Sequence, residues 1–194
     1  MLRFPLVNAE TAPEASVDTI KAVNAAYGFL PNLIGTLGNS PAAVQAYASV
    51  SGAFEGSSLS PVEQQVVLLT TSVENQCHYC VAAHTAVAKM VGAPDEVAAA
   101  LRAGDSLSNE RLEALRSLTL SVVRNRGWVP DEDLSAFLAA GFEKAQVLDV
   151  VTGVVQKTLS NYVNHIAETE LDDAFAPFAW SPNAEPAGVG NYIS

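Results

Sequence analysis

Two cysteines and a histidine stand close together near the middle of the chain, and their types and spacing suit chemistry. Cys77 and Cys80 form a C-x-x-C pair, and His84 follows four residues after the second cysteine. On a helix that turns about 100° per residue, the three side chains fall within about 60° of one another. A nucleophilic thiol, a resolving thiol and a base would then share one face. The pattern indicates thiol redox chemistry.

The residues before the pair bear on how the two thiols ionise. Asn75 and Gln76 interrupt a helical pattern, which places Cys77 at or near the start of the next helix. Free N–H groups and the helix dipole favour a thiolate there. Cys80 lies one turn before His84, so that imidazole can accept its proton. We therefore expect Cys80 to attack and Cys77 to stay open to an external dithiol, although the dipole leaves the reverse order open.

Two plainer interpretations of this segment stay open. The cysteines could be small buried apolar residues, with His84 a hydrogen-bonded core histidine. Alternatively, two thiolates and one imidazole could hold zinc, although their spacing on one helix is cramped for a tetrahedral site. The chain has only two other histidines that could complete such a site: His78, which lies off the helical face of Cys77, Cys80 and His84, and His165. Without a glycine-rich phosphate loop or a haem motif, no metal and no bound cofactor is expected.

The elements that position these residues are predicted to be helices throughout. Apolar residues make up 49% of the 194 residues and aromatic residues only 7%. This composition favours closely packed helices over a β-sandwich. Ser60, Pro61 and Glu63 form a capping box that begins the helix before the cysteines. Helices are predicted over about 13–27, 41–54, 61–73, 77–90, 94–103, 109–126, 130–140 and 143–168, with an apolar connection at 29–37 and a break inside the last helix.

A weak internal repeat at an offset of about 81 residues suggests a duplicated helical hairpin. His165 then matches His84, while Thr158 and Asn161 stand where the cysteines would be. His165, with Asn161 and Asn164, would line the site or an oligomer interface, or would simply be hydrogen-bonded in a helix. The sequence predicts one domain over residues 1–180 and a loose tail over 181–194.

Charge and composition exclude several classes of partner. The formal net charge is −11, which repels a phosphate backbone and an anionic membrane surface. The chain shows no secretory signal and no apolar run long enough to span a bilayer, so we expect a cytoplasmic protein without nucleic-acid or membrane partners. The apolar connection at 29–37 leaves more apolar surface than one core of this size hides, which favours a homo-oligomer.

Residues 59–84 carry a family resemblance. A capped helix, a short polar break and the pattern C-x-x-C-x-x-x-H follow one another there. This succession resembles the signature of the carboxymuconolactone decarboxylase superfamily, in its AhpD-like alkylhydroperoxidase branch. Residues 27–33 and 161–165 extend the likeness over about 15–180. The resemblance implies an all-α, AhpD-like fold with a duplicated helical hairpin, assembled into trimers or hexamers.

The resemblance also implies a function. The protein would be a thiol peroxidase that reduces hydrogen peroxide or organic hydroperoxides, with Cys80 attacking, Cys77 resolving the sulfenate and His84 moving protons. A dithiol or a thioredoxin-like donor would recycle the pair. Two alternatives stay open: a redox-responsive oligomeric protein without turnover, and a lyase or decarboxylase acting on a small acidic substrate.

One position departs from the family pattern. The relay glutamate of AhpD-like proteins stands 12 residues before the first cysteine, and this chain has Gln65 there. An amide cannot cycle a proton as a carboxylate does. Glu63 lies near that position, but the capping box already accounts for it. We therefore expect Glu74, which sits beside the cysteine stripe, to replace the relay acid; a solvated glutamate at a helix end is the alternative.

Overall fold

Residues 4–182 are described by a computed structural model, and in that range the chain forms helices and no β-strand. The α-helices, numbered in chain order, are α1 (Val17–Tyr27), α2 (Asn32–Leu37), α3 (Pro41–Glu55), α4 (Pro61–Glu74), α5 (His78–Met90), α6 (Asp95–Ala103), α7 (Glu110–Arg124), α8 (Asp131–Ala139) and α9 (Lys144–Ala167). Short 3-10 helices cover Glu14–Ser16 and Asp173–Phe178. The all-α prediction is confirmed. Of the tail predicted over 181–194, residues 183–194 lie outside the described range.

The turn between α4 and α5 sets the position of the first cysteine. Gln76 adopts a left-handed conformation with φ of 55°. The N–H of Gln76 donates to the carbonyl of Val73, and the N–H of Cys77 donates to the carbonyl of Ser72. These two bonds form a Schellman motif that closes α4. Cys77 then has an extended backbone and serves as the N-cap of α5, as the polar break predicted.

Two elements differ from the sequence prediction. The apolar connection at 29–37 contains the short helix α2, whose first N–H, at Asn32, donates to the carboxylate of Asp172. This cap lies 140 residues away along the chain, so local patterns could not reveal it. The break expected inside 143–168 is absent, because α9 runs uninterrupted for 24 residues. The second copy of the repeat therefore lies within a single helix rather than a hairpin.

The long helix α9 crosses the centre of the fold and packs against α3 and α4. Gly153 permits this close approach, because a Cβ there would lie 2.7 Å from the ring of Phe54 and 2.8 Å from the side chain of Val67. One face of α9 is thereby fixed against the core, beside α5 and its cysteines. This packing decides which side chains of α9 meet the thiols.

A C-terminal strap, residues 171–182, closes the fold over α5. Arg102 donates to the carbonyl oxygens of Phe178 and Ala179, and the indole N–H of Trp180 donates to the carbonyl of Arg102. The ring of Phe175 is buried against Tyr79. Among the residues described, no helix is long and apolar enough to cross a membrane.

Candidate active site

The two cysteines begin helix α5 and are buried, free thiols. Cys77 is the N-cap and Cys80 lies in the first turn, and each is only 1% exposed. The thiols are close enough to share a hydrogen bond, and the backbone N–H of Cys80 points at the sulfur of Cys77. The prediction that Cys77 stays open to an external dithiol is wrong, since its surface is covered.

Helix α9 supplies hydrogen-bond donors to the pair. The side-chain nitrogen of Asn164 lies 3.2 Å from Sγ of Cys80 and 3.8 Å from Sγ of Cys77. Oγ of Ser160 lies 3.7 Å from Sγ of Cys80, and the amide of Asn161 also faces this sulfur. Positions 160 and 161 lie four and three residues before 164, so the three side chains share one side of the helix. A thiolate on Cys80 is therefore well solvated by protein groups.

One more residue of that α9 face, Lys157, reaches His84. Nζ of Lys157 lies 2.8 Å from Nε2 of His84, and Nδ1 of His84 lies 3.0 Å from Oε1 of Gln65. An ammonium group can only donate, so Nε2 accepts and Nδ1 carries the proton. Burial, reinforced by the charge of Lys157, holds the pKa of His84 well below its ordinary value. His84 is thus a neutral imidazole between an amide and a cation.

This geometry corrects the expected role of His84 as the direct base for Cys80. Both ring nitrogens are engaged, by Gln65 and by Lys157. No hydrogen bond joins His84 to Cys80 within residues 4–182. Lys157 lies between them: its ammonium contacts His84 and is near the sulfur of Cys80. The helical spacing correctly predicted that Cys80 and His84 lie on one helix, but it did not predict the ammonium of Lys157 that lies between them.

The two thiols differ in acidity. Burial opposes ionisation of Cys80, but the hydrogen bond from Cys77, the charge of Lys157 and the donors on α9 outweigh it and lower the pKa of Cys80. The hydrogen bond to Cys80, together with burial, raises the pKa of Cys77. Of the two thiols, Cys80 is therefore the one whose ionisation the surroundings favour.

A cavity of about 280 Å³ leads to Cys80 and not to Cys77. His84 and Lys157 line the same cavity. The rest of its wall is mostly apolar and aromatic; the larger side chains there belong to Tyr27, Leu33, Ile34, Tyr47, Tyr79, Val87 and Phe175. A molecule of modest size that entered this cavity would meet the sulfur of Cys80 and not that of Cys77.

The structure does not bring Glu74 to the thiols. Its two carboxylate oxygens each accept a 2.8 Å hydrogen bond from Arg124 on α7. Glu63 is engaged elsewhere too, in the capping box of Ser60 and in an ion pair with Arg111. Both glutamates are therefore explained by local structure, and the contacts of Glu74 argue against its predicted role as relay acid. The position expected for the relay acid, 12 residues before Cys77, is occupied by the amide of Gln65.

Tyr79, beside Cys80 in the chain, ties the site to the strap. Its hydroxyl donates to the carboxylate of Asp172 and accepts from the N–H of Leu33. Burial and the hydrogen bond to Asp172 raise the pKa of Tyr79. Because its proton is held by Asp172, this hydroxyl is a structural link between α5, α2 and the strap.

The remaining histidines lie apart from this cluster. His78 contacts the carbonyl and the ring of Trp180 in the strap, and His165 is exposed on the outer side of α9. Across residues 4–182, no three side chains of His, Cys, Asp or Glu gather as a metal site would require.

Sequence reasoning did not find Lys157 and Ser160, although one signal was available. Lys157 is the only basic residue between positions 145 and 164, in a segment that is otherwise neutral apart from one aspartate. Together with Ser160, Asn161 and Asn164 it forms a polar stripe at helical spacing. A buried polar stripe on a long apolar helix points to a functional face.

Part of the sequence and the whole fold have known counterparts. Residues 41–119 match the Carboxymuconolactone decarboxylase family. The chain also has the all-α fold of solved AhpD-like structures, and in both respects it is similar to members of the carboxymuconolactone decarboxylase/AhpD-like superfamily. No curated protein sequence matches the chain significantly.

Several solved structures share the fold along nearly the whole chain. An alkylhydroperoxidase AhpD core, an uncharacterized peroxidase-related protein from Ralstonia eutropha JMP134, is 26% identical with a TM-score of 0.77, covering 89% of this chain and 93% of its own. A peroxidase-related protein from Silicibacter sp. TM1040 is 16% identical with a TM-score of 0.75, covering 90% and 92%. The debrominase Bmp8 is 17% identical with a TM-score of 0.76, covering 92% and 96%.

Proposed function

We propose that this protein is a thiol-dependent peroxidase that reduces hydroperoxides through Cys80 and Cys77. The observation that carries the proposal is the asymmetry of the pair: the cavity leads to Cys80 alone, while Cys77 touches it from the protein side. The donors on α9 favour a thiolate on Cys80. An acidic, substrate-facing thiol with a second thiol in contact is what peroxide reduction requires.

The reaction takes place in three steps. The thiolate of Cys80 attacks the hydroperoxide, so that an S–O bond forms, the O–O bond breaks and an alkoxide departs and is protonated. The thiol of Cys77 then attacks the sulfenic acid, releasing water and forming a disulfide. A dithiol donor reduces this disulfide by thiol exchange. In sum, a hydroperoxide and a dithiol become an alcohol, water and a disulfide.

Reductive debromination is a second candidate, favoured by the cavity. A cysteine-to-alanine variant of the debrominase Bmp8 was solved in complex with 2,3,4-tribromopyrrole, with a TM-score of 0.71 to this chain. The cavity here is lined by apolar and aromatic groups and has a thiolate at its base. The thiolate would attack the bromine of an aryl bromide, so that an S–Br bond forms, the C–Br bond breaks and the aryl carbon takes up a proton. The thiol of Cys77 would then attack the sulfenyl bromide, forming a disulfide and releasing bromide and a proton.

The test measures consumption of hydrogen peroxide, an alkyl hydroperoxide and a brominated pyrrole with a dithiol donor. The parent protein is compared with Cys77→Ser and Cys80→Ser, and the exposed residue Met90→Ser serves as a matched control. We expect dithiol-dependent hydroperoxide turnover that is lost in both cysteine variants and kept in the control. Turnover of the brominated pyrrole alone would favour the second candidate, and hydroperoxide turnover that survives both cysteine substitutions would overturn the proposal.

We propose that the protein acts as a homo-oligomer, through a two-fold contact on α9. The outer face of this helix exposes Leu148, Val155, Tyr162 and Ile166. From position 150 to 167 the helix has no acidic residue, in a chain of net charge −11. Two copies packed antiparallel would place Leu148 opposite Ile166, with Val155 near the two-fold axis, so the face is complementary to itself. Its lack of carboxylates lets two acidic chains approach there.

The proposed compartment is the cytoplasm. Two free cysteines that must be returned to thiols after each turnover need a reducing environment.

A further inference from the structure

Lys157 is a buried cation without a carboxylate partner in the described part of the chain. Its side chain is 1% exposed, and every ion pair between residues 4 and 182 involves other residues. A buried charge is costly unless another charge or several dipoles compensate it. The compensation for Lys157 must therefore come from the groups that surround its ammonium.

Those groups come from two helices. On α5, Nε2 of His84 accepts one N–H at 2.8 Å and the sulfur of Cys80 lies close by. On α3, Tyr47 faces the ammonium, and Glu55 lines the same cavity but forms no ion pair with Lys157. Neither the imidazole nor a phenol carries a negative charge at neutral pH. The sulfur of Cys80 is thus the one nearby group on this wall that can pair directly with the ammonium.

We propose that Lys157 is a catalytic residue of this site: its ammonium pairs with the thiolate of Cys80 and donates the proton that the departing oxygen of the substrate needs. Gln65 fixes the ring of His84, and His84 in turn accepts a hydrogen bond from this ammonium and holds it in position. The inference rests on the proposed peroxidase function for its last step, whereas the ion pair itself does not depend on turnover.

Several groups beside Cys80 are poorly placed to supply that proton. His84 is neutral, and its single N–H points to Gln65, away from the sulfur. The hydroxyl of Tyr79 donates to Asp172. The amide nitrogens of Asn164 and Asn161 are not acids. Lys157 has three N–H groups and donates one of them to His84. The other two are left for the sulfur of Cys80 and for the cavity, which Lys157 lines.

Protons and electrons balance over the catalytic cycle when Lys157 has this role. The resting site holds a thiol on Cys77, a thiolate on Cys80 and an ammonium on Lys157. Attack on the hydroperoxide oxidises Cys80 to the sulfenic acid and breaks the O–O bond, and the alkoxide leaves with a proton from Lys157. Disulfide formation with Cys77 releases water. Reduction by a dithiol returns one proton to Cys77 and the other to Lys157, which restores the resting site.

The ion pair is tested by titrating Cys80 alone, in the folded Cys77→Ser background, from thiolate absorbance and from the rate of alkylation against pH. We expect Cys80 to ionise well below the ordinary range of a cysteine. In Lys157→Met, which keeps the buried stem, the pKa should rise by about one to three units. Lys89→Met, an exposed lysine on the same helix as Cys80, is the matched control and should leave the titration unchanged.

A second variant distinguishes charge from packing. Gln65→Glu added to Lys157→Met places a carboxylate 3.0 Å from Nδ1 of His84, which favours an imidazolium there and restores a positive charge near Cys80. We expect this double variant to recover part of the lost thiolate and of the lost peroxide reactivity. An ordinary pKa for Cys80 in the Cys77→Ser background would overturn the ion pair, even if Lys157→Met fails to fold. A low pKa without any turnover would leave the ion pair standing and reject the proposed peroxidase.

Discussion

The side-chain nitrogen of Asn164 lies 3.2 Å from Sγ of Cys80, close enough to donate a hydrogen bond to the sulfur at the base of the cavity. The same nitrogen lies 3.8 Å from Sγ of Cys77. A single amide therefore faces both sulfurs and serves whichever of them bears negative charge. Because hydrogen bonds to charged groups are stronger than those to neutral ones, this bond favours the thiolate form of Cys80.

Replacing Asn164 should raise the pKa of Cys80. Hydrogen bonds to charged groups contribute about 1.5–3 kcal/mol, which corresponds to a rise of about one to two pKa units in Asn164→Ala. Because the thiolate is the reactive form, the reaction with hydroperoxide should reach its plateau at a higher pH than in the parent. The measurement is the alkylation rate of Cys80 against pH, with Asn125→Ala, at the C-cap of α7, as control. Superimposable pH profiles would contradict the assignment.

The order of the two thiols should be visible after one turnover. In Cys77→Ser, a sulfenic acid should persist on Cys80 after peroxide treatment, because the resolving thiol is gone. Dimedone would trap it, and peptide mass spectrometry would locate it. In Cys80→Ser no such adduct should form on Cys77, since the cavity does not reach that sulfur. Labelling of Cys77 in the second variant, with none of Cys80 in the first, would reverse the order.

Glu74→Gln should leave peroxide turnover within about twofold of the parent, a difference under about 0.5 kcal/mol. Its carboxylate is held by Arg124, away from the sulfurs. Losing this partly exposed ion pair should cost about 0.2–1 kcal/mol of unfolding free energy, measured by urea denaturation. Arg124→Gln removes the same pair from the other side and is the matched control. A tenfold loss of turnover in Glu74→Gln alone would restore Glu74 as a relay acid.

Tyr79→Phe should destabilise the protein by about 1–3 kcal/mol, because the buried carboxylate of Asp172 loses a hydrogen-bond donor. The strap should loosen with it, and proteolysis in residues 171–182 should become faster. Urea denaturation and limited proteolysis check both effects. Tyr162→Phe, at an exposed tyrosine, should change neither. Unchanged stability and unchanged proteolysis in Tyr79→Phe would show that this hydrogen bond does not secure the strap.

The contact proposed on α9 should be broken by a charge. Val155→Glu places like charges near the two-fold axis, so the mass measured by light scattering should fall towards that of the monomer. Met90→Glu, at an exposed residue of α5, should leave the mass unchanged. An oligomer that withstands Val155→Glu would move the interface elsewhere, and a parent protein that is monomeric at every concentration would refute assembly.

The helical elements could be predicted from local signals. Ser60, Pro61 and Glu63 form the capping box that their spacing predicted, and Cys77 begins α5 because of the polar break before it. The extent of α9 was predicted closely, but the break predicted inside it was wrong, because a sequence pattern does not show that packing on both faces keeps a long helix continuous. The helix α2 was missed because its cap, Asp172, comes from the other end of the chain.

The site could be predicted only where its residues share one helix. Cys77, Cys80 and His84 are neighbours on α5, so spacing alone brought them together. Lys157 and Asn164 reach the sulfurs from another helix, and only tertiary packing decides which residues of α9 face α5. The acidity of Cys80 follows from that packing rather than from the helix start. For the same reason, local position misled the prediction for Glu74.

The uninterrupted course of α9 makes the site sensitive to chain length rather than to composition. Each residue turns an α-helix by about 100°, so one inserted residue before Lys157 would swing every group beyond it away from the sulfurs together. A substitution removes a single donor, whereas an insertion or deletion removes all of them and turns the apolar outer face inward. In α9, therefore, an insertion or a deletion should disturb the site more than a single substitution does.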